Sequence, residues 1–143
     1  MPEGKSGSTT LSKEERAAVR DRARELKEQK TKADGVKAVD DAIKALPAGD
    51  RAIASKLHEI VMDVAPDLAP KTYYGMPGWA RDGRILCFFQ PASKFGVRYG
   101  TFGFEQPAKL DDGSMWPVAF AVLAIGDAEE KKIRALVKQA TGG

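Results

Sequence analysis

The residues of this chain that could do chemistry crowd into one stretch. Tyr73, Tyr74, Trp79, Phe88 and Tyr99 lie within thirty residues, joined downstream by Trp116. Lys71, Lys94 and Arg98 are the cations interspersed among them. Ligand pockets are mostly apolar, with a few placed polar groups that fix orientation. An aromatic wall with two or three cations therefore reads as a place for a small molecule, or for a cation held over a ring face. The candidate ligand-binding residues on this reading are Lys71, Tyr74, Trp79, Lys94 and Arg98. The same aromatics could equally form an ordinary core, since aromatic side chains dominate cores.

Covalent and metal chemistry have less to work with. There is one histidine, His58, and one cysteine, Cys87. No disulfide can form within one chain, and neither a four-ligand Cys/His zinc site nor a four-Cys cluster can be assembled. A Cys87–His58 nucleophile pair is conceivable, but Cys87 sits in the most apolar segment, where burial suppresses a thiol's reactivity. No paired catalytic carboxylates and no Ser-His-Asp set stand out, so no enzymatic activity is expected. For a hard cation with oxygen ligands, the metal candidates are Glu59 and Asp63, four residues apart and on one helical face beside His58. They are interleaved with Lys44, Arg51 and Lys56, as on a solvated helix surface.

The 143 residues suit a single domain, and 43% apolar with 30% charged content suits a globular one. Net charge is +3, with nine Lys/Arg against seven Asp/Glu in residues 1–34 and fourteen against thirteen in the rest. Spread so thinly, the excess does not make the basic patch a nucleic-acid binder needs. The longest apolar run, Val118 to Ile125, is far shorter than the ~20 residues that span a bilayer. The N-terminal residues show no apolar secretory core. A cytoplasmic location, without nucleic acid or membrane as partner, is expected.

The elements that must position these residues follow from pattern. Residues 1–11 read as a disordered tail. A charged helix spans 12–34 at most, opened by the Ser12/Glu15 capping box and ended by Asp34-Gly35. Its thin apolar content predicts weak docking, or an arm for a protein partner or self-association through residues 12–30. Residues 35–143 form the α+β domain. A second helix spans about Val36 to Leu46; a third is capped by Asp50 and runs to Ala65. Strands are expected at Lys71–Gly75, Met76–Arg81, Arg84–Gln90, Phe95–Phe104 and Ser114–Phe120, the last at an edge because of Pro117. Asp82-Gly83 is a type I′ hairpin turn. Asp127 caps a last helix to about Gln139. Helices first, an antiparallel sheet of four to five strands next and a helix last make a two-layer α+β fold.

Several pieces in order carry a resemblance. They are Ala65-Pro66-Asp67-Leu68 leading into Lys71-Thr72-Tyr73-Tyr74-Gly75-Met76-Pro77, then Asp82-Gly83, Cys87-Phe88-Phe89 and Asp111-Asp112-Gly113-Ser114-Met115-Trp116-Pro117. Over residues 36 to 140 the chain resembles the YdhG-like family, a domain of unknown function. Some of its members are labelled frataxin-like intracellular iron chaperones. The resemblance implies a cytosolic α+β domain and makes iron the one cofactor it points to, without assigning a ligand residue. The expected function is thus a non-enzymatic binding domain holding a small molecule or metal against an aromatic sheet surface. The alternatives are a frataxin-like iron carrier using surface carboxylates, and a protein-interaction module docking through its N-terminal helix.

Overall fold

A computed structural model describes residues 11–28 and 31–142. Three helices come first: α1 (Lys13–Glu28), α2 (Lys32–Lys44) and α3 (Ala48–Val64). Strands β1 (Ala69–Tyr73), β2 (Met76–Arg81) and β3 (Arg84–Gln90) follow, then a single helical turn α4 (Ala92–Phe95). The chain ends with β4 (Gly100–Phe104), β5 (Ala119–Val122) and α5 (Asp127–Ala140). The five strands form one antiparallel meander in the order β1-β2-β3-β4-β5, so the expected α+β class holds.

Register and alternation sort the side chains. Trp79, Cys87 and Phe104 are paired neighbours across β2, β3 and β4, and Phe89, Phe102 and Phe120 across β3, β4 and β5. Paired residues share a face, so this face is the aromatic one. It packs with Val39 and Ile43 of α2, Leu57, Ile60 and Val61 of α3, and Ile133 and Val137 of α5 in one core. The opposite face carries Tyr73 and Phe88, with ring centroids 5.5 Å apart. The ring of Phe88 lies over Gly103, where any Cβ would collide with it.

Local chemistry explains the boundaries, and several differ from the sequence-based expectation. The Ser12/Glu15 box forms as expected, at 2.8 and 3.0 Å. The expected end of that helix at Lys30, and the tail apart from Leu11, lie outside the described residues. Asp34-Gly35 does not end a helix. Thr31 caps α2, accepting from the Asp34 amide while the Asp34 carboxylate accepts from the Thr31 amide, so the boundary drawn at 34/35 falls inside α2. Gly35 is needed there because β1 crosses tightly: a Cβ would lie 2.1 Å from the Pro70 carbonyl oxygen. Asp50 does not cap α3. The helix starts behind Pro47, and the Asp50 carboxylate instead accepts from the amide and hydroxyl of Ser93. Strand β1 lies two residues earlier than expected, because Tyr74 (φ 53°) and Gly75 (φ 79°) form a second tight turn. Asp82 (φ 53°) and Gly83 (φ 78°) make the turn that was expected.

The stretch 95–99 is not strand. Pro91 opens the helical turn α4 and Gly96 closes it in the left-handed region, at φ 63°. Phe95, Val97 and Tyr99 therefore do not share a strand face. Strand β5 is shifted to Ala119–Val122, with Pro117 just outside it, but it is an edge strand as expected. Asp127 does not cap α5: the residue before the helix is Gly126, whose amide donates to Glu129 at 2.9 Å.

Candidate functional site

Two places gather the residues of interest. The first is the β1–β2 turn under α1. Tyr74 in the left-handed region costs about 1 kcal/mol relative to glycine, and it turns two adjacent amides away from the sheet. Glu25 of α1 accepts both: from the Tyr74 amide at 2.9 Å and from the Gly75 amide at 2.6 Å. Its carboxylate is 4% exposed and also meets Arg22 at 3.5 Å. The Arg22 guanidinium lies 5.2 Å from the Tyr73 ring centre and 5.8 Å from that of Tyr74. Asp21 faces the Lys94 ammonium at 3.5 Å, and both atoms crowd the space above Gly75. So α1 lies on the body rather than projecting from it. Asp21, Arg22 and Glu25 hold it there, with Ala18 buried beneath.

Tyr73, next to this turn, donates from its hydroxyl to Glu105 at 3.0 Å. Burial, with the neighbouring Glu105, pushes its pKa up to about 12.

The second place is a groove of about 800 Å³ along the sheet's far edge, between β5 and α5. Helix α5 is tied to α3 rather than to β5. Arg134 donates to Asp63 at 2.6 Å, and Lys56 meets Glu130 at 3.1 Å. Arg134 first, then Lys56, holds the Glu130 carboxyl below its ordinary range. With α5 held over there, a trough opens above Phe102, Phe120 and Val122, walled by Ile133 and Leu136. Arg98 and Lys132 line it, as does Glu129, whose carboxylate is occupied by the Gly126 amide. The Arg98 guanidinium stacks 5.1 Å from the Tyr99 ring centre, and the Lys132 ammonium 5.9 Å from that of Phe120. Among the described residues neither cation has an ion-pair partner.

The five residues expected to bind a ligand are therefore not brought together. Arg98 lines the groove. Tyr74 and Lys94 meet at the β1–β2 turn, where α1 already covers them. Lys71 stands half-buried in β1, opposite Gly78. Trp79 is core: it is fully buried, and its indole N–H donates to His58 Nδ1 at 3.1 Å. Of the other aromatics, Tyr99 joins Arg98 in the groove and Trp116 packs against the core.

Comparison with known proteins finds no matching family model, no similar curated protein and no similar solved structure.

The covalent and metal candidates are accounted for by their neighbours. Burial pushes the Cys87 thiol far up, leaving it un-ionised. His58 is held below its ordinary value by burial, which suits an acceptor for Trp79. Glu59 is exposed beside Lys56 at 3.6 Å, and Asp63 is the α5 tie. Among the described residues no group of three or more His, Cys, Asp or Glu could hold a metal ion, and no helix is long and apolar enough to cross a membrane.

Sequence reasoning found Arg98 and Tyr99 for the wrong reason, as strand residues. It missed Lys132, Leu136 and β5 as parts of a groove. The apolar run Val118–Ile125 was the available signal: it is too long for a four-residue strand and contains no charge.

Proposed function

We propose that this chain is a non-catalytic binding domain, and that its ligand is an amphipathic anion held in the groove between β5 and α5. An apolar body would lie on Phe120, Val122, Ile133 and Leu136. A carboxylate or phosphate head would meet Arg98 and Lys132. The observation that carries this reading is that two cations without ion-pair partners border one apolar trough. Both cations are exposed to solvent beside that trough, and an incoming anion would form charge-assisted hydrogen bonds with them. Cytosolic residence belongs to the same proposal, since the lone thiol needs no oxidising compartment. The YdhG-like resemblance is compatible with it, and the iron-carrier alternative rests on that resemblance alone.

Titration with octanoate and with 1-octanol, followed by amide NMR, tests the reading. Octanoate is expected to shift signals of residues 119–124 and of α5, at least ten-fold more tightly than octanol, a difference of about 1.4 kcal/mol. Arg98→Ala/Lys132→Ala should bring the two ligands level. Equal binding of acid and alcohol to the unaltered protein, or no shift in the groove, would remove the proposal.

A further inference from the structure

One wall of the groove is a sheet edge, and that narrows its ligand. Strand β5 pairs with β4, and its outer side carries no strand among the described residues. The register shows which amides face outward. The Phe104 amide donates to the Val118 carbonyl at 2.7 Å, and the pairs Phe102–Phe120 and Gly100–Val122 follow at two-residue steps. Val118, Phe120 and Val122 thus direct their backbone groups toward β4. In an antiparallel ladder the alternate residues face away, so Ala119 and Ala121 point their N–H and C=O groups outward, and Leu123 follows just past the strand. All three are exposed and all three border the groove, Leu123 with 70% of its surface free.

Natural sheets blunt such edges with lysine, proline, inward charges or bulges. None of these occurs between Ala119 and Leu123. Instead the edge has small side chains, and α5 stands opposite as an apolar second wall. A strand edge beside a helix is the arrangement in which an extended peptide adds a strand: its main chain bonds to the edge and alternate side chains drop against the helix.

Resting on the groove reading above, we infer that the ligand is an extended peptide segment of a partner protein. It is added to the outer edge of β5, with apolar residues alternating over Phe120 and Leu136 and a carboxylate reaching Arg98 or Lys132. Charge argues for such a partner over a second copy of this chain. Edge-to-edge pairing of two copies would bring Val118–Ile125 against itself, a run without one carboxylate.

The probe is a displayed library of random heptapeptides, with the enriched sequences synthesised for titration. The expected enrichment is an Asp, a Glu or a C-terminal carboxylate next to alternating apolar residues. Binding should slow hydrogen exchange at the Ala119 and Ala121 amides, while those of Phe120 and Val122 are already protected by β4. Ala121→Pro removes an outward N–H, a position where an edge strand tolerates proline. It should weaken the peptides at least ten-fold. Should that variant fail to fold, the exchange pattern on the unaltered protein decides alone.

A library without enriched acidic sequences overturns the inference, as do peptides that bind without slowing the two outward amides. Either result leaves the groove reading standing if octanoate still binds. A dimer mass in light scattering that disappears in Ala121→Pro would assign the edge to a second copy and overturn it too.

Discussion

The two ends of the sheet spend their polar groups differently. At the β1 end, the amides of Tyr74 and Gly75, the carboxylates of Glu25 and Asp21 and the cations Arg22 and Lys94 all find one another. At the β5 end, the outward amides of Ala119 and Ala121 and the cations Arg98 and Lys132 have no such partners among the described residues. Both ends have a charged helix nearby. Helix α1 is drawn onto the sheet by its charges, whereas α5 is drawn away, because Arg134 and Glu130 bind α3 instead. A helix that satisfies the sheet closes it, and a helix satisfied elsewhere leaves a trough. The closed end contributes to stability, and the open end is where the proposed ligand would lie.

That contrast can be broken at either end. The largest effect is expected for Glu25→Leu, which leaves two amides without an acceptor under α1. At about 1–3 kcal/mol for each of the two stranded amides, the loss should total about 2–6 kcal/mol in urea unfolding. Glu25→Gln, which keeps one acceptor oxygen, should lose less. An unchanged midpoint for Glu25→Leu would mean that α1 is not held by this clamp.

Next comes Gly35→Ala at the α2–β1 crossing. Alanine normally favours a helix over glycine, yet here its methyl would meet the Pro70 carbonyl. A loss of about 1–3 kcal/mol is expected, and a gain in thermal melting would contradict the tight crossing.

Acidification is a subtler probe of the covered face. His58 has its folded pKa depressed, so between that value and the unfolded one the unfolded chain binds more protons. Stability is then complete at neutral pH and falls as pH drops through about 6.5 toward the folded value, while Trp79 loses its acceptor. Urea midpoints at pH 7 and pH 5 should differ in that direction. His58→Asn, which keeps an acceptor near Nδ1, should flatten the slope. The smallest effect belongs to the open end: Arg98→Ala and Lys132→Ala should each change stability by less than about 0.5 kcal/mol. A large loss from either would make the groove cations structural.

The middle of the fold was legible because its signals are local. Asp82-Gly83 needs only its own backbone freedom, and the Arg84–Gln90 strand, apolar from Ile85 to Phe89, needs only two covered faces. The α2 start was not, because Thr31 and Asp34 cap it through a reciprocal bond that the Asp34-Gly35 pair disguised as a break. Nor was the role of Gly35, whose reason lies at Pro70, thirty-five residues away. What holds the charged helix was hidden for a related cause. Its apolar face is thin, but Glu25 docks through turn amides that exist only once Tyr74 and Gly75 fold. For the candidate site, Arg98 and Tyr99 were visible as residues and invisible as a place, since the groove arises from where α5 is tethered.

Amide-resolved NMR during octanoate titration tests the central claim most directly. The account predicts shifts confined to Ala119–Ala124, Arg98, Tyr99 and the face of α5 bearing Lys132 and Leu136, with Tyr73–Gly75 and α1 unmoved. Shifts centred on the β1–β2 turn instead, or none at the β5 edge, would contradict it.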